Sequence, residues 1–548
     1  MSKPTNAHPR GLYVLFATEM WERFNYYGMR AILIYFMTDA LLFNKVFSSN
    51  LYGGYTSLIY LTPLIGGFIA DRYWGNRRSI ALGGLVMALA EFILFFCASL
   101  YKTNPDLSSI LFYVGLGTMI VGNGFFKPNI SSMVGQLYSQ NDKRTDSAYT
   151  IFYMGINVGG MLGPFICGLV GNTGNPDDFK WAFLAAGIGM LLSVVTLKYF
   201  ENKYLVDANN NPIGVTPKEM ENSRSPIKNQ LSITVIIGLI VLIAIALGLL
   251  YIHGQKIFDL SYLLLLALAV IIYVIFSDKT LTKPERDRII AIFVVSFFVI
   301  FFWSAFEQAG ASLSFFAAEQ TNLHVGLFNY DVPPSWFQSL NSAFVVIFAP
   351  VFAWLWIQLG KRNKEPNSAV KMAIGLFLLA VGYAWIAMGV KDVGPNVKVS
   401  MIWLTGMYAM HTWGELCLSP IGLSLVNKLA PFRFASLLMA VWFMANSAAN
   451  VLAGKLSALY PPGPAEIKKA ATAGIDLPSI LSGSVTPTTN QVAKLHELEV
   501  PYQFQSILGY HINNLYDFFI MFVIMAGIAS VILFLLTGWL GRLMHSDK

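Results

Sequence analysis

Five side chains that carry charge or exchange protons crowd one stretch near the start of the sequence. They are Glu19, Glu22, Arg23, Tyr26 and Arg30. At about 100° per residue they fall within roughly one third of a helix circumference. The surrounding sequence is apolar, and each charge at the centre of a membrane helix costs roughly 2.5–3.5 kcal/mol. One face of this helix must therefore turn away from lipid, and such intramembrane charge indicates a functional site.

A lysine interrupts a later apolar stretch. Lys127 directly precedes Pro128, and proline removes a backbone donor and loosens the helix at that point. In the functional interpretation Lys127 anchors a substrate carboxylate or exchanges ion-pair partners. In the alternative it is a structural partner of Glu19 or Glu22.

The second half of the chain contributes acids. Glu307 lies one helical turn after Trp303 and suits a proton carrier. Glu415 could bind an ammonium group. For both, the alternative is a buried carboxylate that holds two helices together. Glu91 is interpreted as a structural partner of a helix terminus or a hydroxyl. His411 is interpreted as a hydrogen-bonded structural histidine, and the alternative is a proton relay one helical turn before Glu415.

The distribution of these charges predicts the chemical class of the ligand. The first half supplies the cations Arg23, Arg30 and Lys127, whereas the second half supplies only Glu307 and Glu415. A cavity between two such halves would suit a zwitterion whose carboxylate and ammonium groups are separated. Aromatic residues that would either contact its side chains or simply pack are Tyr26, Tyr27, Tyr60, Trp303 and Trp442.

The composition indicates a membrane protein. The 548 residues are 55% hydrophobic and 12% charged, against about 25% charged for a soluble domain. The net charge of +7 is dispersed over short loops, so we expect no nucleic-acid partner. The three cysteines, Cys97, Cys167 and Cys417, lie in apolar stretches, so neither a disulfide framework nor a metal or other cofactor is expected.

Apolar stretches long enough to span a bilayer recur along the chain, and we count about fourteen. They lie near residues 11–37, 51–70, 80–100, 110–136, 148–170, 181–200, 231–252, 260–276, 289–318, 338–359, 370–390, 401–429, 434–459 and 515–540. Alternate connections hold most of the Lys and Arg, which predicts that these connections and both termini are cytoplasmic.

Two polar segments divide these spans into six, two and six. The predicted organisation is an N-terminal six-helix bundle (1–200), a linker with two additional membrane helices (201–288) and a C-terminal six-helix bundle (289–548) with a long outer loop (460–514). The motif Trp21-Glu-Arg-Phe24 is echoed by Trp303-Ser-Ala-Phe306, which favours two related halves.

One short connection is unusually charged. Asp71, Arg72, Arg77 and Arg78 are candidates for a cytoplasmic gating loop, in which charges latch and release helix ends. Simple topology determination by positive charge explains the same residues equally well.

Three motifs in order resemble the proton-dependent oligopeptide transporter family of the major facilitator superfamily. They are Glu19-x-x-Glu22-Arg23, the run 66–75 (GGFIADRYWG) and the run 152–161 (FYMGINVGGM). The runs 303–308 (WSAFEQ) and 413–415 (WGE) agree with it. The likeness covers nearly the whole chain, and the additional helix pair is similar to bacterial members. The resemblance implies an all-α polytopic membrane protein with the major facilitator fold, fourteen transmembrane helices and a place in a bacterial inner membrane.

The resemblance also implies roles for individual residues. The peptide carboxyl side would be held by Arg30, Lys127, Tyr26 and Asn157, and the amino end by Glu415 with Asn341 and Trp442. The proton-coupling groups would be Glu22 and Glu307 with Arg23 and Lys127, and Glu19 beside them. Animal members carry a histidine in the second helix, and this chain has none there, so proton handling is expected to rest on carboxylates.

The expected function is a proton-coupled symporter that imports di- and tripeptides by alternating access. Its partners would be peptides, protons and the lipid bilayer, and we expect a monomer. The alternative is proton-coupled transport of another small zwitterionic or amphipathic solute, such as a drug or a modified amino acid. An enzyme is not expected, since the sequence lacks His-Glu-x-x-His, Gly-x-Ser-x-Gly and a phosphate-binding loop.

Overall fold

A computed structural model describes residues 7–139, 142, 144–216, 233–326 and 329–545, without the side chains of 233–234, 420–424 and 427. The chain divides into two compact units. Unit 1 holds the described residues up to Leu41 together with Gly54–Leu260, and unit 2 holds Leu42–Gly53 together with the residues from Ser261 onward. Residues 217–232 of the predicted linker lie outside the described residues.

Unit 1 is built from helices. They are α1 (Arg10–Tyr35), α2 (Lys45–Ile69, whose first residues belong to unit 2), α3 (Asn76–Leu100), α4 (Pro105–Gln136), α5 (Thr145–Gly171), α6 (Phe179–Tyr204) and α7 (Ile233–Gly254). Helix α1 packs against α5 and α6, while α3 packs against α4 and α6, and α7 lies on α4. Single π-helical turns follow α1 and α2, at Phe36–Ala40 and Ala70–Trp74.

Unit 2 adds a second set of helices and three short strand pairs. The helices are α8 (Leu260–Phe276), α9 (Lys283–Phe306), α10 (Ser312–Glu319), α11 (Phe337–Lys361), α12 (Ser368–Val390), α13 (Met401–Leu429), α14 (Ala435–Ser457), α15 (Pro464–Thr472), α16 (Leu477–Leu481), α17 (Thr489–Glu497) and α18 (Leu515–Leu543). The paired strands are β1 (Thr321–Asn322) with β4 (Val399–Ser400), β2 (His324–Val325) with β3 (Tyr330–Asp331), and β5 (Gln505–Ile507) with β6 (Tyr510–Ile512).

Each predicted span coincides with a helix or a pair of helices of the described chain. Ten of these described helical segments have the length and hydropathy of a membrane span, and the apolar helix Leu260–Phe276 is shorter. Helix α1 with its charged face, α2 and α13 fall short of that hydropathy. Hydropathy alone would therefore have missed three of the helices that carry candidate site residues.

The ninth predicted span, 289–318, is not one continuous helix. Helix α9 ends at Phe306, a 3₁₀ turn covers Glu307–Gly310, and α10 begins at Ser312. The side chain of Gln308 stabilises this break, because its Nε2 donates to the carbonyl oxygens of Ser304 and Ala453 at 3.0 Å each. Glu307 therefore occupies a helix end.

The residues between α14 and α18, predicted only as a long outer loop, fold into a small body that we call the insert (residues 460–514). It contains α15, α16, α17 and the β5–β6 hairpin. Six buried apolar side chains form its own core, and they are Ala470, Ile475, Leu477, Ile480, Leu495 and Val500. Caps set its helix starts: the Asp476 carboxylate accepts from the backbone N–H of Ser479, and Thr488 caps α17.

Candidate functional site

The charged face of α1 is an ion-pair cluster buried in unit 1. The Arg23 guanidinium Nε lies 2.7 Å from Glu19 Oε1 and 3.0 Å from Glu22 Oε2. All three side chains are at most 4% exposed. One cation thus holds two carboxylates, which leaves the cluster with one formal negative charge when both acids are ionised.

A fourth side chain completes this cluster. Asn123 of α4 donates its Nδ2 hydrogen to Glu22 Oε1 at 3.2 Å, and Asn123 is fully buried. Neutral amide donors stabilise a carboxylate without neutralising it. Sequence reasoning did not assign Asn123 a role, although its place one helical turn before Lys127 could have suggested one.

Glycines of α5 determine how closely α1 approaches. A Cβ at Gly159 would lie 2.1 Å from the carbonyl oxygen of Met20 and 2.8 Å from the Cβ of Arg23. A Cβ at Gly163 would lie 2.5 Å from the carbonyl oxygen of Phe24. Only residues without a side chain fit at such separations, so these glycines fix the backbone that presents Arg23.

Lys127 lies beside this cluster on α4. Its Nζ is 4.4 Å from the ring centroid of Tyr60 on α2, a cation–π contact. Its charge also acts on Glu22. The two helices approach closely here, because a Cβ at Gly66 would lie 2.0 Å from the carbonyl oxygen of Gly124. The structure thus brings Lys127, Tyr60 and Glu22 into one neighbourhood.

The remaining predicted residues of unit 1 differ in how they relate to the cluster. The Arg30 guanidinium lies 5.9 Å from the Tyr27 ring centroid, and Tyr27 stacks edge-on with Tyr26 at 5.3 Å. Asn157 is buried, and its Nδ2 donates to the carbonyl of Tyr153 in its own helix at 2.9 Å. The hydrogen bond of Asn157 therefore lies within α5 and not toward the ion cluster.

Unit 2 contains a separate acidic cluster. Asn341 of α11 donates from Nδ2 to Glu415 Oε2 at 2.8 Å and to the Thr412 hydroxyl at 3.1 Å. Glu415 and Thr412 lie on α13, and Thr412 was not identified from the sequence. Glu307 is buried at the helix break, and its charge acts on Glu415. Glu307 and Glu415 are therefore two acids in the same part of this unit.

The tryptophans of unit 2 line the helices that carry these acids. Trp303 stacks edge-on with Phe302 and Phe306 at ring-centroid distances of 5.3 and 5.1 Å. Trp442 is 6% exposed and lies on α14, where Asn446 donates to its carbonyl at 2.9 Å. Their described contacts are packing contacts.

The candidate gating loop splits into exposed and buried residues. Asp71 and Arg72 are exposed, Arg78 is half-buried and Arg77 is buried. The Arg77 guanidinium donates to the carbonyl of Leu205, and its backbone N–H donates to Gly214 at 2.9 Å. Arg77 thus fastens the segment after α6 to the start of α3.

Unit 2 also contains an ion cluster around Lys45 that was not predicted from the sequence. Lys45 Nζ lies 2.6 Å from Glu319 Oε1 and 2.9 Å from Glu466 Oε2 of the insert. The lysine is 12% exposed and the two acids 17% and 16%. The same Nζ lies 5.5 Å from the Phe315 ring and 5.4 Å from the Tyr460 ring. Three distant parts of the sequence meet at this one cation.

The chain is similar to transporters of known family. It is 38% identical over 459 residues to an uncharacterized transporter, YclF, of Bacillus subtilis (strain 168), covering 83% of this chain and 88% of that protein. It is 34% identical over 467 residues to a di-/tripeptide transporter of Lactococcus lactis subsp. cremoris, covering 82% and 90%.

Solved structures agree over almost the whole chain. A crystal structure of a peptide transporter POT in complex with sulfate superposes with a TM-score of 0.72 at 30% identity, covering 99% of this chain and 97% of that one. A POT family transporter in complex with 5-aminolevulinic acid gives 0.73 at 28% identity, with 98% of each chain covered. The expected all-α transporter fold is therefore confirmed.

A family model supports the same assignment. The model described as PTR2, the POT family, matches residues 77–472. That stretch runs from the start of α3 into the insert and contains Lys127, Glu307 and Glu415. By its motifs, its fold and this match, the chain belongs to the POT family of multi-pass membrane transporters.

Proposed function

We propose that this protein is a proton-coupled symporter that imports di- and tripeptides by alternating access. Similar proteins named di-/tripeptide transporters or dipeptide and tripeptide permeases support the substrate class. Family membership supports the coupling to protons. The protein then works as a carrier and catalyses no chemical conversion.

The observation that carries this proposal is the buried cluster of Glu19, Glu22 and Arg23. Two carboxylates share one guanidinium at 2.7 and 3.0 Å inside a membrane helix. Protonation of either acid removes one of the attractions that hold Arg23. A proton taken up here therefore changes which ion pairs exist, and this is the property that coupling requires.

The cations of unit 1 suit the carboxylate end of a peptide, and the acids of unit 2 suit its ammonium end. In unit 1, Arg30 and Lys127 supply cations for a carboxylate, with Tyr26, Tyr27, Tyr60 and Asn157 as further candidates for contact. In unit 2, Glu415 with Asn341 supplies an acceptor for an ammonium group, and Trp303 and Trp442 supply apolar surface. We assign Glu307 the second proton, because it lies at a helix break beside Glu415.

The proposed cycle follows from competition for these charges. In the outward-open state the acids Glu22 and Glu307 carry protons, and the peptide carboxylate competes with an acid for Arg30 and Lys127. Peptide binding therefore weakens the ion pairs that stabilise the outward-open conformation. Release of the protons on the cytoplasmic side restores these ion pairs. A proton that crosses 100 mV supplies about 2.3 kcal/mol, which is roughly a fifty-fold concentration ratio.

The test is uptake of dialanine by the full chain in proteoliposomes with an inward proton gradient. We expect accumulation by the wild type. Glu307→Gln should abolish gradient-driven accumulation and keep counterflow exchange, because it removes a proton site and keeps a hydrogen-bonding side chain. The matched control is Glu365→Gln, a half-exposed acid paired with Lys371, which should accumulate dialanine normally.

Two results would contradict this assignment. If Glu307→Gln still accumulates dialanine against a gradient, the proton site lies elsewhere. If wild-type protein catalyses neither accumulation nor counterflow of dialanine, the substrate class is wrong.

A second candidate substrate class is favoured by a specific observation. A similar POT family transporter was crystallised with 5-aminolevulinic acid, and another with alafosfalin. Competition of amino acids, dipeptides, tripeptides, tetrapeptides and 5-aminolevulinic acid against labelled dialanine distinguishes the classes. Strong competition by 5-aminolevulinic acid with weak competition by dipeptides would favour the alternative.

Location and assembly complete the proposal. We place the protein in a bacterial inner membrane with both termini in the cytoplasm, since alternate loops concentrate Lys and Arg. The insert then lies outside the cell. We propose that one chain, in contact with lipid, protons and peptide, is sufficient for transport.

A further inference from the structure

A buried acid outside the charged face of α1 has no place in the cycle above. Glu91 of α3 is fully buried, and its Oε1 accepts a hydrogen bond from Asn25 Nδ2 of α1 at 2.9 Å. The same amide donates to the carbonyl oxygen of Ala186 on α6 at 3.0 Å. One asparagine thus joins three helices.

The surroundings of this junction are closely packed. A Cβ at Gly187 would lie 3.1 Å from the Cβ of Glu91, and a Cβ at Gly189 would lie 2.5 Å from the ring of Phe24. The two glycines of α6 make room for α1 and α3 to reach one another. A side chain in their place would press on Glu91 or on Phe24, the residue before Asn25.

Asn25 occupies a decisive place on α1. It lies two residues after Arg23 and one before Tyr26, and roughly 120° around the helix from the face that carries them. A bond on that side resists rotation of the helix about its axis. Rotation by even part of a turn would move Glu22 and Arg23 relative to Asn123.

In this junction Glu91 acts as a hydrogen-bond acceptor for the Asn25 amide. No described Lys or Arg lies within ion-pair distance of Glu91, and the titratable neighbour whose electrostatic contact is recorded is Cys167 of α5. Glu91 Oε2 and Asn25 Oδ1 lack a hydrogen-bond partner among the described residues. A glutamine at 91 would keep the acceptor that Asn25 needs.

We propose that Asn25 and Glu91 are positioning residues that set the rotation of α1 and so aim Glu22, Arg23 and Arg30. The inference rests on the proposed function, since it assigns these two residues to the geometry of the same site. Glu91 acts through its hydrogen bond with Asn25, and it carries no proton for transport.

The experiment compares Glu91→Gln, Glu91→Leu and Asn25→Leu in the full chain. In proteoliposomes we expect Glu91→Gln to match the wild type in the KM for dialanine and in the pH profile of uptake. Both leucine variants should raise the KM about tenfold, the scale of one lost buried hydrogen bond. The double variant Asn25→Leu/Glu91→Leu should be no worse than Asn25→Leu alone, because that single variant already removes the bond to Glu91.

A second readout does not depend on the substrate. Amide hydrogen exchange of α1, followed by mass spectrometry in detergent micelles, should be faster in the leucine variants and unchanged in Glu91→Gln. It reports on the junction even if dialanine proves to be the wrong substrate, and it is read on the folded fraction alone. A variant that elutes as aggregate is replaced by Asn25→Ser, which is expected to give the same acceleration.

Each contrary result overturns the proposal in a different way. If Glu91→Gln loses accumulation and keeps counterflow, Glu91 is a proton carrier. If the leucine variants leave both KM and hydrogen exchange unchanged, the junction does not position α1. If the double variant is additive, the two side chains act separately.

Discussion

At the scale of single residues, removal of the Arg23 side chain would leave two fully buried acids without their cation. Arg23 forms ion pairs with both Glu19 and Glu22, at distances of 2.7 and 3.0 Å. Breaking a buried ion pair by removing one partner costs about 3–5 kcal/mol, because it leaves uncompensated charge. Structure and coupling therefore depend on the same guanidinium.

We expect Arg23→Gln to destabilise the protein strongly. The measurement is the melting temperature in detergent, followed by thermal unfolding of the purified chain. Arg144→Gln is the control, because Arg144 pairs with Asp142 on a half-exposed surface. Equal melting temperatures for the two variants would show that the α1 cluster does not stabilise the fold.

The Asp142 pair also gives a pH control. The hydrogen bond from Arg144 lowers the pKa of the Asp142 carboxyl to about 2, below its usual value of 3.8. Any stabilisation by this group is complete above pH 3.8 and is lost only as the pH falls through about 2. Asp142→Asn should thus leave the pH profile of dialanine uptake between about pH 5 and 8 unchanged, in contrast to Glu307→Gln. A shifted profile would place Asp142 in proton coupling.

Recognition of the amino end is tested at Glu415. Asn341 orients one of its oxygens at 2.8 Å. If Glu415 binds the ammonium group, Glu415→Gln should weaken competition by dialanine about tenfold or more, which corresponds to about 1.4 kcal/mol. Competition by N-acetyl-dialanine should hardly change. Equal losses for both peptides would assign Glu415 a structural role.

At the scale of helices, the close contact of α1 with α5 limits which side chains are tolerated where the two helices meet. A Cβ added at Gly159 would lie 2.1 Å from a carbonyl oxygen of α1. Such a clash can be relieved only if one of the two backbones moves. The close approach is therefore part of the site, because the backbone that moves is the one that carries Arg23.

We expect Gly159→Ala to lower the melting temperature and to reduce dialanine uptake. Gly238→Ala on α7 is the matched control, since nothing lies within 4 Å of its added Cβ. In that exposed helical position alanine is expected to be neutral or stabilising by up to about 1 kcal/mol. If both variants transport alike, α1 has more freedom than the contact indicates.

Sequence patterns predicted the helices well and their interruptions poorly. Apolar runs located the spans, and the charges of α1 indicated its polar face. The break at Glu307 was not predicted because Gln308, which stabilises it, donates to the carbonyl of Ala453 on a helix far along the chain. For the same reason Asn123 and Lys45 were missed: their partners are determined by tertiary packing, which a single sequence does not display.

At the scale of the whole molecule, the insert has an apolar core of its own. Its core contains six buried side chains, and Lys45–Glu466 and Asn44–Glu499, at 2.9 Å each, tie it to the start of α2. Its stability and the transport cycle are therefore expected to respond to different substitutions.

Leu495→Ala tests this separation. Leu495 is fully buried in the insert core, and such truncations cost about 2–5 kcal/mol. We expect protease added to intact spheroplasts to cleave within 460–514 faster than in the wild type, while dialanine uptake is retained. Leu508→Ala, at a fully exposed position, is the control. Cleavage only from the cytoplasmic side would reverse the proposed orientation.

The two ends of the insert come together at the membrane helices. The ring of Tyr460, where it begins, lies 5.3 Å from the ring of Phe518, just after it ends. A chain that leaves and returns at one point can be exchanged for another without pulling α14 and α18 apart. The insert is accordingly a suitable site for fusing a fluorescent reporter or a rigid fiducial domain for electron microscopy.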